Sequence, residues 1–105
     1  MSRPKIQVFI ATYNRPQMVG VAIDSVLSQS FKDLDVIVSD NSTNDQTQNK
    51  IEASYLSELT YIRRTPTLSP ADHGNKILGE VDSDYYMIFH DDDIKTKITN
   101  KRRLF

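Results

Sequence analysis

Short apolar segments that alternate with helical patterns constrain the fold of this chain more than any other feature. Three runs, at residues 6–11, 34–39 and 85–89, are almost continuously apolar or β-branched, and a shorter, more polar run covers residues 59–63. Continuously apolar strands are typical of a parallel sheet that is buried on both faces. The sequence therefore predicts an α/β, Rossmann-like fold: an open, mostly parallel sheet with helices on both faces.

Two helices are predicted between the first three strands. Pro16 suits the first turn of a helix that follows a loop, with Asn14 or Arg15 at its cap. The second helix, residues 46–56, is weakly amphipathic, and we expect Leu56 among its apolar anchors.

A third helix is predicted before the last strand. Ser69, followed by a proline and then by Asp72 three residues on, resembles a capping box at a helix start. Ile77, Leu78 and Val81 are expected to form the inner face of this helix. The predicted order is β-α-β-α-β-α-β, without internal repeats.

Composition limits the class of protein. At 105 residues the chain forms one domain, and its lack of cysteine excludes disulfides and thiolate metal ligands. No apolar run approaches the roughly 18 residues of a membrane span, and the N-terminus lacks a signal-peptide pattern. We expect a soluble, cytoplasmic protein.

Charge is distributed unevenly along the chain. Residues 1–94 contain 8 basic and 14 acidic residues, whereas residues 95–105 contain five basic residues and no acidic one. We therefore expect an α/β domain over residues 1–94 and a basic C-terminal tail over 95–105. Without interleaved aromatic residues the tail does not predict a nucleic-acid partner. An alternative function is a small nucleotide-binding or interaction module whose tail recruits an acidic partner.

Three consecutive carboxylates, Asp91 to Asp93, follow the last predicted strand directly. Two such charges about 4 Å apart repel by roughly 4 kcal/mol at an effective dielectric near 20, so a cation is expected nearby. In an extended chain Asp91 and Asp93 share one face and suit Mg²⁺ or Mn²⁺. The structural alternative is a solvated turn.

Polar residues also follow the other strands, at the edge where ligands of open α/β sheets bind. Asp40 could accept hydrogen bonds from a base or sugar, or could cap the next helix. Tyr13 could stack on a base or cover the sheet edge, and Thr12 could bind a ligand or turn the chain. Asn75 could meet a phosphate near a helix start or face water. Together with a metal at the acidic triplet, these residues form a consistent nucleotide diphosphate site.

Four stretches in this order, residues 9–16, 22–31, 36–42 and 86–93, resemble the N-terminal half of family 2 glycosyltransferases. The resemblance implies part of a GT-A fold and a nucleotide-sugar donor, commonly a UDP-sugar. It also implies Mn²⁺ or Mg²⁺ at an Asp-x-Asp motif and, in the full-length relative, an acceptor that is a saccharide or lipid-linked sugar. Such an acceptor would place the protein at the inner face of the membrane.

Residue roles follow from the same resemblance. Thr12 and Tyr13 would line the base pocket, and Asp40 would contact the base. In the acidic triplet, Asp91 or Asp92 would contact the ribose or the sugar, and Asp93 would bind the metal. Asp91 is also a metal ligand by the strand geometry given above.

Two departures from the family pattern stand out. Many relatives have an Arg-Asn pair in the helix before the last strand, whereas here only Asn75 keeps that pattern. Residues 94–105 do not resemble the acceptor-binding continuation with its general base, so we expect an apparently truncated donor-binding half without turnover. Exposed apolar sheet surface would favour a homodimer. An aspartyl-phosphate phosphatase fits less well, since its motif belongs on the first strand.

Overall fold

Residues 6–28 and 34–91 are described by a computed structural model of the chain. The elements alternate as the sequence predicts. They are β1 (Ile6–Thr12), α1 (Pro16–Leu27), β2 (Leu34–Asp40), α2 (Gln46–Ser54), β3 (Thr60–Arg63), α3 (Pro70–Gly79) and β4 (Tyr85–His90). Residues 92–105, which include Asp92, Asp93 and the basic tail, lie outside the described residues.

The four strands form one parallel sheet in the order β3-β2-β1-β4. The chain first moves outward from β1 to β2 and β3, then returns to the other side of β1 to form β4. Strand order therefore reverses between β1 and β4, and a cleft at the carboxyl ends of these strands is the usual ligand site of such sheets. Thr12 lies opposite Asp40, and Ala11 opposite His90, at this edge.

The core has one layer on each face of the sheet. Val8 and Ile10 of β1 point into the larger layer with residues of α1 and α2, including the fully buried Ile51. Phe9, between them, points into the smaller layer with Ile77 of α3. This alternation is the two-residue period of a strand, and it confirms the prediction of helices on both faces.

The ends of α1 and α3 follow from local sequence. Pro16 occupies the start of α1 as predicted, after Arg15, whose side chain makes no capping hydrogen bond. Ser69 caps α3, because its Oγ accepts a hydrogen bond from the backbone N–H of Asp72 at 3.2 Å. Gly20 of α1 faces α2, and an added Cβ would lie 2.6 Å from Cε of Lys50, so the flexible lysine side chain would have to move.

Two expected apolar contacts are wrong. Leu56 does not anchor α2, which ends at Ser54, and its side chain is 53% exposed. Leu78 is 50% exposed, because the inner face of α3 is formed by Ile77 and, one turn earlier, by His73. None of the helices in the described part of the chain has the length and apolarity needed to cross a membrane.

Candidate functional site

A cleft of about 700 Å³ opens at the carboxyl ends of β1 and β4, where strand order reverses. Its lining comes from these two strands, from α3 and from the loop before α3. Ala11, Ile77 and Ile88 supply apolar surface, while Thr12 and Asp91 bring polar groups. A mostly apolar concave surface with a few convergent polar groups is typical of a small-molecule site.

Asp91 is the one acidic residue among the described residues that line this cleft, and it is buried. The residue is 5% exposed, and its backbone N–H extends the sheet by donating to the carbonyl of Ala11 at 3.0 Å. Thr12 Oγ1 donates a 2.8 Å hydrogen bond to Asp91 Oδ2. Arg15 Nη1 lies 3.4 Å from Asp91 Oδ1. The side chain of Arg15 is 48% exposed, so water weakens the attraction, but the guanidinium still supplies positive charge beside the carboxylate.

The loops after β1 and β2 are joined by Asn14. Its φ of 54° lies in the left-handed region, which asparagine tolerates better than most residues. In this conformation its backbone N–H donates to Ser42 Oγ at 2.7 Å, and its Oδ1 accepts from the backbone N–H of Thr43 at 2.9 Å. These bonds fix the position of Tyr13, which lines the cleft and is 51% exposed.

Asp40 lies behind the cleft rather than in its lining. Its residue is fully buried; Oδ1 accepts from the backbone N–H of Ser42 at 3.0 Å and Oδ2 from the Tyr61 hydroxyl at 2.6 Å. Burial and this hydrogen bond raise the pKa of Tyr61, so its hydroxyl stays protonated as a donor. In this arrangement Asp40 holds the loop after β2 in place.

A buried polar chain runs beneath α3. Arg64 forms two hydrogen bonds with Glu80, from Nη1 at 2.8 Å and from Nη2 at 2.5 Å. Arg64 Nε donates to Ser39 Oγ at 2.9 Å, and the same hydroxyl lies 2.7 Å from His73 Nε2. Arg64 and His73 are nearly buried and Ser39 is completely so. The chain ends at the cleft, because His73 contributes to its lining.

Protonation states along this chain follow from its contacts. Hydrogen bonds from Arg64 lower the pKa of Glu80, which is ionised at neutral pH. Burial, with the positive charge of Arg64, lowers the pKa of His73. His73 is therefore a neutral imidazole at pH 7.

The loop before α3 forms one wall of the cleft. Asn41, after β2, holds this loop with two hydrogen bonds to the Leu68 backbone: Nδ2 donates to the carbonyl at 2.9 Å, and Oδ1 accepts from the N–H at 2.8 Å. Leu68 and Pro70 contribute apolar lining. The wall is thus fixed to the end of β2 by one side chain.

The predicted site residues fall into three groups. Thr12, Tyr13 and Asp91 line the cleft together, whereas Asp40 is enclosed behind it and Asn75 is exposed on α3 next to the cleft-lining Gly74. Asp92 and Asp93 lie outside the described residues. Within residues 6–28 and 34–91 no three His, Cys, Asp or Glu side chains cluster as metal ligands.

Three polar residues at or beside the cleft carried no clear signal of a role in the sequence. Arg15, one of the two residues expected at the cap of α1, occupies that position, but its side chain reaches Asp91. His73 shows no metal-ligand spacing with the other histidine, and Arg64 looked like a residue just beyond an exposed strand. The available signal for Arg64 was its position after β3, at the same edge as the other polar clusters.

The sequence profile described as glycosyl transferase family 2 matches residues 7–97. The chain belongs to glycosyl transferase family 2. Two bacterial relatives are each 28% identical to this family 2 domain. One, over 93 residues, is the GalNAc(5)-diNAcBac-PP-undecaprenol beta-1,3-glucosyltransferase of Campylobacter jejuni. The other, over 98 residues, is the UDP-Glc:alpha-D-GlcNAc-diphosphoundecaprenol beta-1,3-glucosyltransferase WfaP of Escherichia coli.

Solved structures confirm the fold of this family 2 domain. The mannosyltransferase PcManGT of Pyrobaculum calidifontis, in complex with GDP-Man and Mn²⁺, superimposes with a TM-score of 0.74 over 87% of this chain, at 23% identity. TarS of S. aureus gives 0.69 over 84% of this chain, at 22% identity. The expected partial GT-A fold is therefore confirmed.

The match covers most of this chain and a minor part of its relatives. The match to the Campylobacter jejuni protein covers 86% of this chain and 30% of that protein. The match to the Escherichia coli protein covers 91% of this chain and 39% of that protein. For the structures, it covers 28% of PcManGT and 16% of TarS. The family 2 domain thus corresponds to about a third of the length of the two curated relatives.

Proposed function

We propose that this family 2 domain binds a nucleotide diphosphate sugar together with a divalent cation, as the donor site for transfer of the sugar to an acceptor. One observation carries the proposal: the buried Asp91 carboxylate, held by Thr12, lies in a large cleft where strand order reverses. A buried carboxylate at such a site has a role beyond solubility, because burying it costs free energy.

The base is proposed to lie against Tyr13 and the apolar lining of the cleft. Stacking on an aromatic ring contributes roughly 1–3 kcal/mol per base. Asp40 supports this pocket by holding the loop after β2. Direct contact between Asp40 and the base would require the residues that enclose Asp40 to move, since it is fully buried and does not line the cleft.

Mn²⁺ or Mg²⁺ is proposed to bind Asp91 and Asp93, with Asp92 on the ribose or sugar side. The donor set fits: carboxylate oxygens suit hard divalent cations, and each Asp91 oxygen accepts one hydrogen bond and retains further lone-pair capacity. When bound, the cation offsets the charge that develops on the leaving diphosphate.

The diphosphate needs positive charge and hydrogen-bond donors besides the metal. Arg15, beside Asp91 and half-exposed at the cleft, is placed to attract it. Asn75, next to the cleft-lining Gly74, is our further candidate for a phosphate contact.

A UDP-sugar donor and a lipid-linked saccharide acceptor are proposed from the relatives' names. One of them specifies UDP-Glc, and both specify undecaprenol diphosphate-linked saccharides. Such an acceptor would bring the protein to the membrane surface, and we propose its inner face.

Donor binding, rather than complete transfer, is the role we assign to these 105 residues. Among the described residues that line the cleft, Asp91 is the one carboxylate, and Thr12 and Arg15 already engage it. Because Asp91 is proposed to bind the cation, it is not our candidate for the general base that deprotonates an acceptor hydroxyl.

The proposal is tested by isothermal titration calorimetry with UDP-glucose in the presence of Mn²⁺ and then with EDTA. Binding is expected with the metal, to disappear with EDTA and to weaken strongly in Asp93→Ala. Asp84→Ala is the matched control, because Asp84 is exposed and precedes β4 at the opposite edge of the sheet. Metal-independent binding, or equal binding by Asp93→Ala, would overturn the proposal.

A further inference from the structure

His73 occupies a position on the cleft that neither the metal nor the diphosphate explains. Thr12, Asn41, His73 and Asp91 are the buried polar residues among the described cleft lining. Thr12 donates to Asp91, and the amide of Asn41 binds the Leu68 backbone at both ends. His73 instead binds inward, to Ser39.

The hydrogen-bond chain below His73 fixes which ring nitrogen carries the hydrogen. A guanidinium has donors and no acceptor, so Arg64 Nε donates to Ser39 Oγ and occupies a lone pair of the hydroxyl. Ser39 is completely buried, and among the described residues its hydroxyl hydrogen has no acceptor other than His73 Nε2, 2.7 Å away, so the hydrogen is directed there. Nε2 is therefore the acceptor, and the neutral ring carries its hydrogen on Nδ1.

This arrangement leaves the Nδ1–H group as a donor. Among the described residues Nδ1 has no hydrogen-bond partner, and the His73 side chain forms part of the cleft lining. Ser39 holds the ring and is itself held by Arg64, which is bound to Glu80, so the donor has a fixed position. A fixed, nearly buried donor favours ligands that present an acceptor to it.

We propose that His73 selects the base of the nucleotide by donating its Nδ1–H to a carbonyl oxygen of the ring; this inference rests on the proposed nucleotide site. Uracil presents a carbonyl oxygen where cytosine presents an amino group, and guanine and adenine differ in the same way. Facing an amino group, the Nδ1–H would meet another donor and remain unpaired. The cleft therefore favours oxo bases over amino bases.

The test compares UDP with CDP by calorimetry in Mn²⁺. Wild-type protein is expected to bind UDP at least about tenfold more tightly, the factor that corresponds to about 1.4 kcal/mol, close to the value of one hydrogen bond. His73→Gln places an amide oxygen near Nε2 to accept from Ser39, but has no donor at the Nδ1 position. Its preference for UDP should fall to about twofold or less. His73→Asn restores a donor near Nδ1 and should recover part of the preference.

Two failures are distinguishable. Equal binding of UDP and CDP by the wild type, with both lost in Asp93→Ala, would overturn the role of His73 and leave the proposed function intact. No binding of either nucleotide would overturn both.

A second measurement uses only the wild-type protein, so its result does not depend on whether a variant folds. In a long-range ¹H–¹⁵N NMR spectrum of the wild type at pH 7, His73 should show a protonated Nδ1 and an unprotonated Nε2. UDP should shift the Nδ1 signal more than the Nε2 signal. A hydrogen on Nε2, or no response of Nδ1 to UDP, would refute the inference.

Discussion

Replacing Arg64 by methionine tests whether the polar chain beneath α3 stabilises the domain. The substitution keeps much of the side-chain volume but removes two hydrogen bonds to Glu80 and one to Ser39. We expect a clear loss of stability, because the site of Arg64 is 6% exposed and its partners then lose a charged donor.

The magnitude follows from the exposure of each partner. Breaking a fully buried ion pair costs about 3–5 kcal/mol, whereas exposed pairs contribute about 0–1 kcal/mol. The side chain of Glu80 is 32% exposed, so water replaces part of the interaction and a value of about 2 kcal/mol is appropriate. The lost donor to Ser39 adds up to about 1 kcal/mol. The sum, about 2–3 kcal/mol, corresponds to a fall in Tm of roughly 10–20 °C for a domain of this size.

Urea unfolding followed by far-UV circular dichroism measures this change in the free energy of unfolding. Lys76→Met, on the exposed side of α3, is the control and should stay within about 0.5 kcal/mol of the wild type. The double variant Arg64→Met, Glu80→Met should be less destabilised than the sum of its single variants, since no charge remains unpaired. A loss below about 0.5 kcal/mol in Arg64→Met would refute the reasoning.

Three further predictions concern the cleft. Thr12→Val should cost about 1–3 kcal/mol in urea unfolding, because the nearly isosteric valine leaves the buried Asp91 carboxylate without its 2.8 Å donor; an unchanged midpoint would contradict this. Ile77→Ala should lower the free energy of unfolding by about 2–3 kcal/mol. This is the low end for a buried isoleucine, because the space left by the side chain opens into the cleft and water can enter it. Thermal unfolding measures the loss, and an unchanged Tm would count against the packing described. The free energy of unfolding should fall as pH is lowered from 7, because the folded-state pKa of His73 lies below its ordinary value near 6.5 and the unfolded chain therefore binds the proton first. Glu80, whose folded-state pKa is also lowered, adds a further loss of stability below about pH 4.5. A His73→Gln variant should lose the upper part of this pH dependence in urea unfolding, and an identical profile would contradict the assignment.

The fold was predictable because its signals are local. Continuous apolar runs fixed the strands, and the serine–proline pair at Ser69 fixed the start of α3. The errors came from apolar residues without a tertiary partner. Leu56 follows the end of α2, and Leu78 points outward because His73 and Ile77 take the inner positions of α3.

The site was predictable in part for a different reason. Polar residues at or directly after the ends of strands, such as Thr12 and Asp91, must lie at one edge of a parallel sheet, so their proximity followed from topology. Side-chain reach does not follow from it. Arg15 spans from α1 to the end of β4, and Arg64 links α3 to β2; such contacts depend on how elements pack, which local patterns do not encode. The base-binding role of Asp40 stays a prediction.

The central claim is that a nucleotide diphosphate binds in the cleft between β1 and β4, and NMR titration tests it directly. In ¹H–¹⁵N spectra recorded with Mg²⁺ and increasing UDP, saturable shifts should be largest for the backbone amides of Thr12, Tyr13, Gly74 and Asp91. The amide of Val21, on the exposed side of α1, should not move. Shifts concentrated on α1 and α2, or no saturable shift at any UDP concentration, would contradict the account.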